Sequence, residues 1–239
     1  MQTSVFARDS VALDSVPENK NREPSMLKFF ILAAFALISL SSTALADALH
    51  LNPSQLASAR NMQEFGPTSM PIGYYEYCQR YRSQCEQPAG NDMIELTEER
   101  WQAMLKANWI ANSTVTPKTD DEIFGVEERW EYPKTAGDCE DYVLIKRKIL
   151  ADQGFPLGSL RITVGLDADG GGHAVLTVVT NLGDFVLDNV EQEIKSWDQT
   201  EIQYLKWQSG SDPNVWISLV DPVVAASMEP SDRSTARPR

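Results

Sequence analysis

Gly137-Asp138-Cys139-Glu140-Asp141-Tyr142 decides the fold, because it sets a cysteine at the mouth of the best helix in the chain. From Asp141 to Asp152, the residues Tyr142, Leu144, Ile145, Ile149 and Leu150 form an apolar stripe, and Gly154 with Pro156 supplies stop signals. Lys146, Arg147 and Lys148 fall in the C-terminal half, where cations favour the helix dipole. A thiol at the start of such a helix meets unpaired N–H groups and the positive end of the macrodipole. That setting lowers its pKa and offers a donor to an oxyanion. The flanking carboxylates oppose thiolate formation, so the chemistry needs a base.

The chain holds two histidines. His50 stands near the N-terminal leader and reads as exposed and idle. His173 follows Gly170-Gly171-Gly172 and opens the strand that continues through Ala174 to Thr180. Phe185 to Leu187 is the next strand, after a short turn containing Asn181 and Gly183, and Asp188 ends it. With an even-numbered loop, residues 173 and 188 have opposite parity and face the same side of an antiparallel hairpin. A carboxylate there can fix the imidazole tautomer while the ring serves the thiol. Read singly, His173 is also a satisfied strand-end residue, Asp188 a turn cap and Cys139 a small buried hydrophobe. Taken together, Cys139, His173 and Asp188 read as a catalytic triad.

The remaining pattern places helices before an antiparallel sheet, which is α+β. Leu96 to Ala111 is expected to be helical, with Trp101, Met104, Leu105 and Trp109 at helical spacing. Residues 113–128, with the acidic cluster Asp120-Asp121-Glu122, read as a long surface loop. Leu160 to Val164 and Gln203 to Gln208 are further strands. Residues 226–239 read as a disordered tail.

Leu27 to Leu40 is almost wholly apolar and is followed by Ala44-Leu45-Ala46, a signal-peptidase pattern. Residues 1–46 are therefore expected to be a signal-peptide region, with Met26 as an alternative start, and residues 47–225 the working domain. The competing reading is an uncleaved membrane anchor. The 239-residue chain has a net charge of −13, which argues against nucleic acid and anionic membranes as partners. Residues 1–46 carry equal numbers of acidic and basic groups, so the excess belongs to the mature part. Export, to the periplasm or beyond, favours a short-loop disulfide between Cys78 and Cys85. A zinc site would need two further ligands. That pairing leaves Cys139 as the free thiol.

Beyond these readings, the sequence resembles the bacterial transglutaminase-like cysteine peptidases, whose best-known members are LapG-like periplasmic proteases. The resemblance rests on Trp130-Glu131-Tyr132-Pro133, on Gly137 to Tyr142, on Gly172-His173-Ala174-Val175-Leu176, on Val186-Leu187-Asp188-Asn189 and on residues 207–216. It spans about Gly73 to Leu219, and the pair Cys78 and Cys85 fits it. It implies a papain- or transglutaminase-like fold with the nucleophile at a helix N-terminus packed on an antiparallel sheet. It implies Cys139, His173 and Asp188 as the triad, a protein substrate at the cell surface or in the periplasm, and no organic cofactor. It also implies calcium, with Asp138 and Glu140 as ligands, although Asp138 reads equally as an N-cap. The Asp120-Asp121-Glu122 segment departs from the family pattern. The expected activity is that of a monomeric exported endopeptidase. Acyl transfer or deamidation at glutamine by the same triad is the alternative, and a non-catalytic binding module on the same scaffold is a third.

Overall fold

Alternating apolar residues between Leu160 and Leu187 build the centre of the molecule, a hairpin that extends on both sides into one sheet. A computed structural model describes residues 61–86, 90 and 92–224; the leader and its cleavage point, His50 and the C-terminal tail lie outside these residues. The strands are β1 (Pro67–Thr68), β4 (Leu160–Leu166), β5 (Gly172–Thr180), β6 (Gly183–Leu187), β7 (Lys195–Ser196), β8 (Gln203–Gln208) and β9 (Trp216–Ser218). They lie in the order β1-β9-β8-β4-β5-β6-β7, and every neighbouring pair is antiparallel. A second, two-stranded parallel sheet joins β2 (Thr116–Pro117) to β3 (Ala136–Gly137). The α+β architecture expected from the order of elements is the one observed.

Five α-helices are described: α1 (Ile72–Arg80), α2 (Arg82–Cys85), α3 (Glu98–Thr114), α4 (Asp120–Phe124) and α5 (Cys139–Asp152). Helix α5 packs on β5, with Val143, Leu144 and Leu150 in one apolar cluster with Leu160, Ile162, Leu176, Val178, Phe185 and Leu187. Burying each such aliphatic side chain contributes about 1.5–3 kcal/mol. Helix α3 starts at Thr97, whose Oγ1 accepts from the Arg100 N–H at 3.3 Å, and it buries Trp101, Met104, Ala107 and Ala111. Trp109, placed by spacing on the same apolar stripe, is 65 % exposed. Helices α1 and α2 are joined by the Cys78–Cys85 disulfide, and Tyr74 packs edge-on against both Trp130 and Trp216. Among the described residues no helix is long and apolar enough to cross a membrane.

Two expectations are corrected here. The supposed loop over residues 113–128 contains α4, closed by a capping box between Thr119 and Glu122 and ended by Gly125 at φ 68°. The basic residues of α5 do not serve the helix dipole. Lys146 is fully buried, Arg147 donates to the Leu160 carbonyl at 3.0 Å, and Lys148 pairs with Asp152.

The hairpin of β5 and β6 turns on Asn181 and Leu182, an even-numbered loop, with Thr180 opposite Gly183 and Leu176 opposite Leu187. Residues 173 and 188 therefore share a face, as the parity argument requires. On the far side of β5, Gly165 pairs with His173, where the register between β4 and β8 shifts. A side chain at Gly165 would stand 2.6 Å from the Gln203 carbonyl oxygen, and backbone cannot yield as a side-chain tip can. Gly165→Ala is expected to cost about 1–3 kcal/mol, read as a lower urea midpoint at an unchanged m-value.

Candidate active site

Cys139 is the first residue of α5, and Asp138 occupies the N-cap position with an extended backbone. The Asp138 side chain does not cap the helix. Its Oδ2 accepts instead from the Asp120 N–H at 3.2 Å, which ties α4 to the start of α5. The Cys139 thiol donates to Glu140 Oε2 at 3.1 Å, and the Ala174 N–H faces its sulfur. The helix start was expected to lower this thiol's pKa. In the fold, burial raises it, the Glu140 and Asp138 carboxylates add to the rise, and Ala174 offsets only part.

His173 and Asp188 do meet: His173 Nε2 lies 2.9 Å from Asp188 Oδ1. The same oxygen accepts from the Val190 N–H at 3.0 Å, and Asn112 on α3 donates to the Asp188 carbonyl at 2.9 Å. Burial alone would raise the Asp188 pKa, but the hydrogen bond and charge of His173, then Val190 and Lys146, outweigh it and hold the carboxyl below its usual range. The pair opens on a cleft of about 510 Å³, whose walls include Asp167, Asp169, Glu191, Glu193 and Glu201. Cys139 reaches the sheet at Ala174, the residue after His173, while its hydrogen bond runs to Glu140. The fold thus joins His173 to Asp188, while Cys139, at the start of α5, faces the backbone of Ala174, the residue after His173 on β5.

Asp120, Asp138 and Glu140 converge, with one carboxylate oxygen from each lying within 4.8 Å of the others. Asp120 and Glu140 are 2 % and 4 % exposed. Asp120 Oδ1, Asp138 Oδ1 and Glu140 Oε1 are buried with no hydrogen-bond partner. Burial and then the Asp138 charge push Glu140 up to about 9 and Asp120 up to about 6, and burial raises Asp138 as well. Crowding three acceptor-only groups away from water is costly unless protons or a cation join them. An all-oxygen set of this kind suits a hard divalent ion. Asp120 is the member that sequence reasoning missed, having been read as part of a surface loop. The Thr119-x-x-Glu122 capping box was the available signal that a helix begins there. Asp141 stands apart: its Oδ1 accepts from the Glu131 N–H at 2.7 Å, and burial pushes it up to about 8.

Solved structures similar to this chain include three of Legionella pneumophila LapG. Calcium-bound Legionella pneumophila LapG is 19 % identical at a TM-score of 0.44, covering 61 % of this chain and 88 % of that one. A second structure of Legionella pneumophila LapG is 21 % identical at 0.43, covering 64 % and 81 %. The EGTA-treated form is 21 % identical at 0.42, covering 60 % and 75 %. A search of curated proteins finds no match. The sequence profile of the bacterial transglutaminase-like cysteine proteinases (BTLCP) matches residues 64–223, which is most of the described fold. The chain belongs to that family and is a transglutaminase-like cysteine peptidase, acting on protein.

Proposed function

We propose that this peptidase is an exported endopeptidase in which Cys139 is the nucleophile, His173 the general base and acid, and Asp188 the group that orients His173. The contact that carries this reading is His173 Nε2 to Asp188 Oδ1 at 2.9 Å, with a cysteine at a helix start beside the same strand. With Nε2 engaged by Asp188, Nδ1 is the nitrogen left to exchange a proton with the thiol. The thiol proton, directed at Glu140 in this structure, passes to His173 as sulfur bonds to the scissile carbonyl carbon. The Cys139 N–H, at the first turn of α5, faces the developing oxyanion. Collapse breaks the C–N bond, and His173 protonates the departing amine. Water, deprotonated by His173, then releases the acyl group.

Asp120, Asp138 and Glu140 hold a calcium ion on this reading, supported by their three orphaned oxygens and by the preference of that ion for carboxylates. The ion would supply positive charge beside a thiol whose charged neighbours are carboxylates. The apolar stretch and Ala44-Leu45-Ala46 support export to the periplasm with removal of the leader, leaving residues 47–225 as the catalytic domain. The Cys78–Cys85 disulfide accords with an oxidising compartment. The substrate is then a periplasmic or cell-surface protein.

Cys139→Ala is expected to abolish processing while the protein melts as before. A comparison of exported proteins with and without the enzyme checks this, and continued cleavage by the variant would overturn the assignment. Asp188→Asn is expected to cost roughly 10²–10⁴-fold in kcat with the fold retained, because the tautomer of His173 is no longer fixed. Steady-state kinetics on a processed substrate fragment read that loss.

Calcium at a hundredfold excess over its Kd is expected to raise the unfolding free energy by about 2.7 kcal/mol. Asp120→Asn should remove most of that gain in urea titrations. In EGTA, stability should fall as pH rises. Glu140 and Asp120 titrate at about 9 and about 6 in the fold, above their unfolded values. The folded chain therefore binds more protons than the unfolded one, from near the ordinary carboxylate range up to about pH 9, and loses that advantage as they leave. Saturating calcium should flatten this slope.

A further inference from the structure

The hairpin of β5 and β6 has two faces, and α5 covers one of them. Ala174, Leu176 and Leu187 pack with Val143 and Leu144 on the α5 side, and Cys139 rests against the same cluster. His173, Val186 and Asp188 alternate to the other side, where they wall the cleft of about 510 Å³. The Cys139 sulfur faces the Ala174 N–H, whereas the preceding imidazole, only 10 % exposed, is part of the cleft wall. His173 therefore stands between the nucleophile and the cleft. Among the described residues its ring makes one hydrogen bond, to Asp188, which leaves Nδ1 without a partner.

The walls of this cleft are strongly acidic. Asp167, Asp169, Glu191, Glu193 and Glu201 line it together with Lys195, and Lys195 pairs with Glu191. Asp167 is engaged in the turn between β4 and β5, where its Oδ1 accepts from the Asp169 N–H at 2.9 Å and the Gly171 N–H at 2.8 Å. Asp169, Glu193 and Glu201 have no ion pair among the described residues. They come from that turn, from the segment before β7 and from the segment before β8, and the sheet gathers them round one hollow. A concave surface lined by one sign of charge focuses its field and concentrates ligands of the other sign. Val190, 73 % exposed, and Ile202 add apolar surface to the same walls. That combination suits the methylene stem and charged head of a lysine or arginine.

In acyl transfer to a cysteine the histidine protonates the leaving nitrogen, so the chain beyond that nitrogen must pass the imidazole. We propose that the acidic cleft is the subsite for the leaving side of the substrate, and that Asp169, Glu193 and Glu201 select Lys or Arg in the first few residues after the scissile bond. The proposal rests on the reading of Cys139 as nucleophile and His173 as general acid, and it adds the substrate class. A basic side chain in the cleft lays its stem on Val190 and Ile202 and sets its charge among the three carboxylates. An acidic segment in the same place is repelled by every unpaired wall.

A proteome digested after glutamate supplies peptides with internal Lys and Arg, and mass spectrometry reads where the calcium-loaded protein cuts them. The exported protein fraction is treated in parallel, with new N-termini labelled, so that substrates needing a longer chain are included. Lys and Arg are expected about three- to tenfold above their background frequency within about four positions after the cut. Asp169→Asn/Glu193→Gln/Glu201→Gln should bring that ratio to about one. Glu193→Lys/Glu201→Lys should turn the preference toward Asp and Glu, a gain that a folding defect could not produce. Higher salt should weaken the preference of the parent protein and leave the profile of the neutralised variant as it was. If cutting depends on Cys139 but shows no basic preference after the bond, or if that preference survives the triple neutralisation, the cleft is not the selecting subsite. A basic preference confined to residues before the bond overturns its placement on the leaving side. If Cys139→Ala cuts at the same sites, or the parent protein cuts nothing in either pool, the reading of Cys139 as nucleophile fails first, and the proposal falls with it.

Discussion

The docking of α5 on β5 is the contact from which the site follows. Val143, Leu144 and Leu150 anchor the helix in the apolar cluster of β4, β5 and β6, so its first residue is delivered to the end of the sheet beside Ala174. The same packing buries Lys146 two turns lower, and α3 grips the chain just after β6 through Asn112. Cys139, His173 and Asp188 come from three parts of the chain, and it is the burial of their apolar neighbours that sets each in place. No hydrogen bond between the functional groups could supply an equivalent force, since the net gain from one is about 1 kcal/mol.

Against this favourable packing stands an electrostatic conflict at the mouth of α5. The helix start ought to favour a thiolate, yet Asp120, Asp138 and Glu140 crowd the same place, and burial magnifies their repulsion. In the structure the thiol settles on Glu140, a resting arrangement in which the sulfur keeps its proton. The charge balance around Cys139 is therefore set by neighbours drawn from α4 as well as from α5.

Much of this was legible in the sequence, for local reasons. Helix α5 announced itself through its apolar stripe and the glycine and proline beyond it, and the hairpin through its alternation and a short turn, whose two-residue length the fold supplied. The parity of 173 and 188 placed both on one face because side chains in a strand repeat every two residues. Family resemblance added the pairing of functions. Residues 113–128 were misread because polar composition cannot distinguish a short capped helix from a loop; Thr119 and Glu122 carried the distinction. Trp109 was misplaced because helical spacing names a face without saying what lies opposite it.

What the sequence by itself determined were the properties that depend on neighbours along the chain: where α3 and α5 begin, which strands form the hairpin, and which cysteine is left unpaired. Only the tertiary structure decided the charges. Asp120 is eighteen residues from Asp138, and Lys146 is forty-two from Asp188, yet each acts on the other across buried space. A carboxylate or an ammonium takes its character from the water it has lost and the charges brought near it, and both are set by the fold.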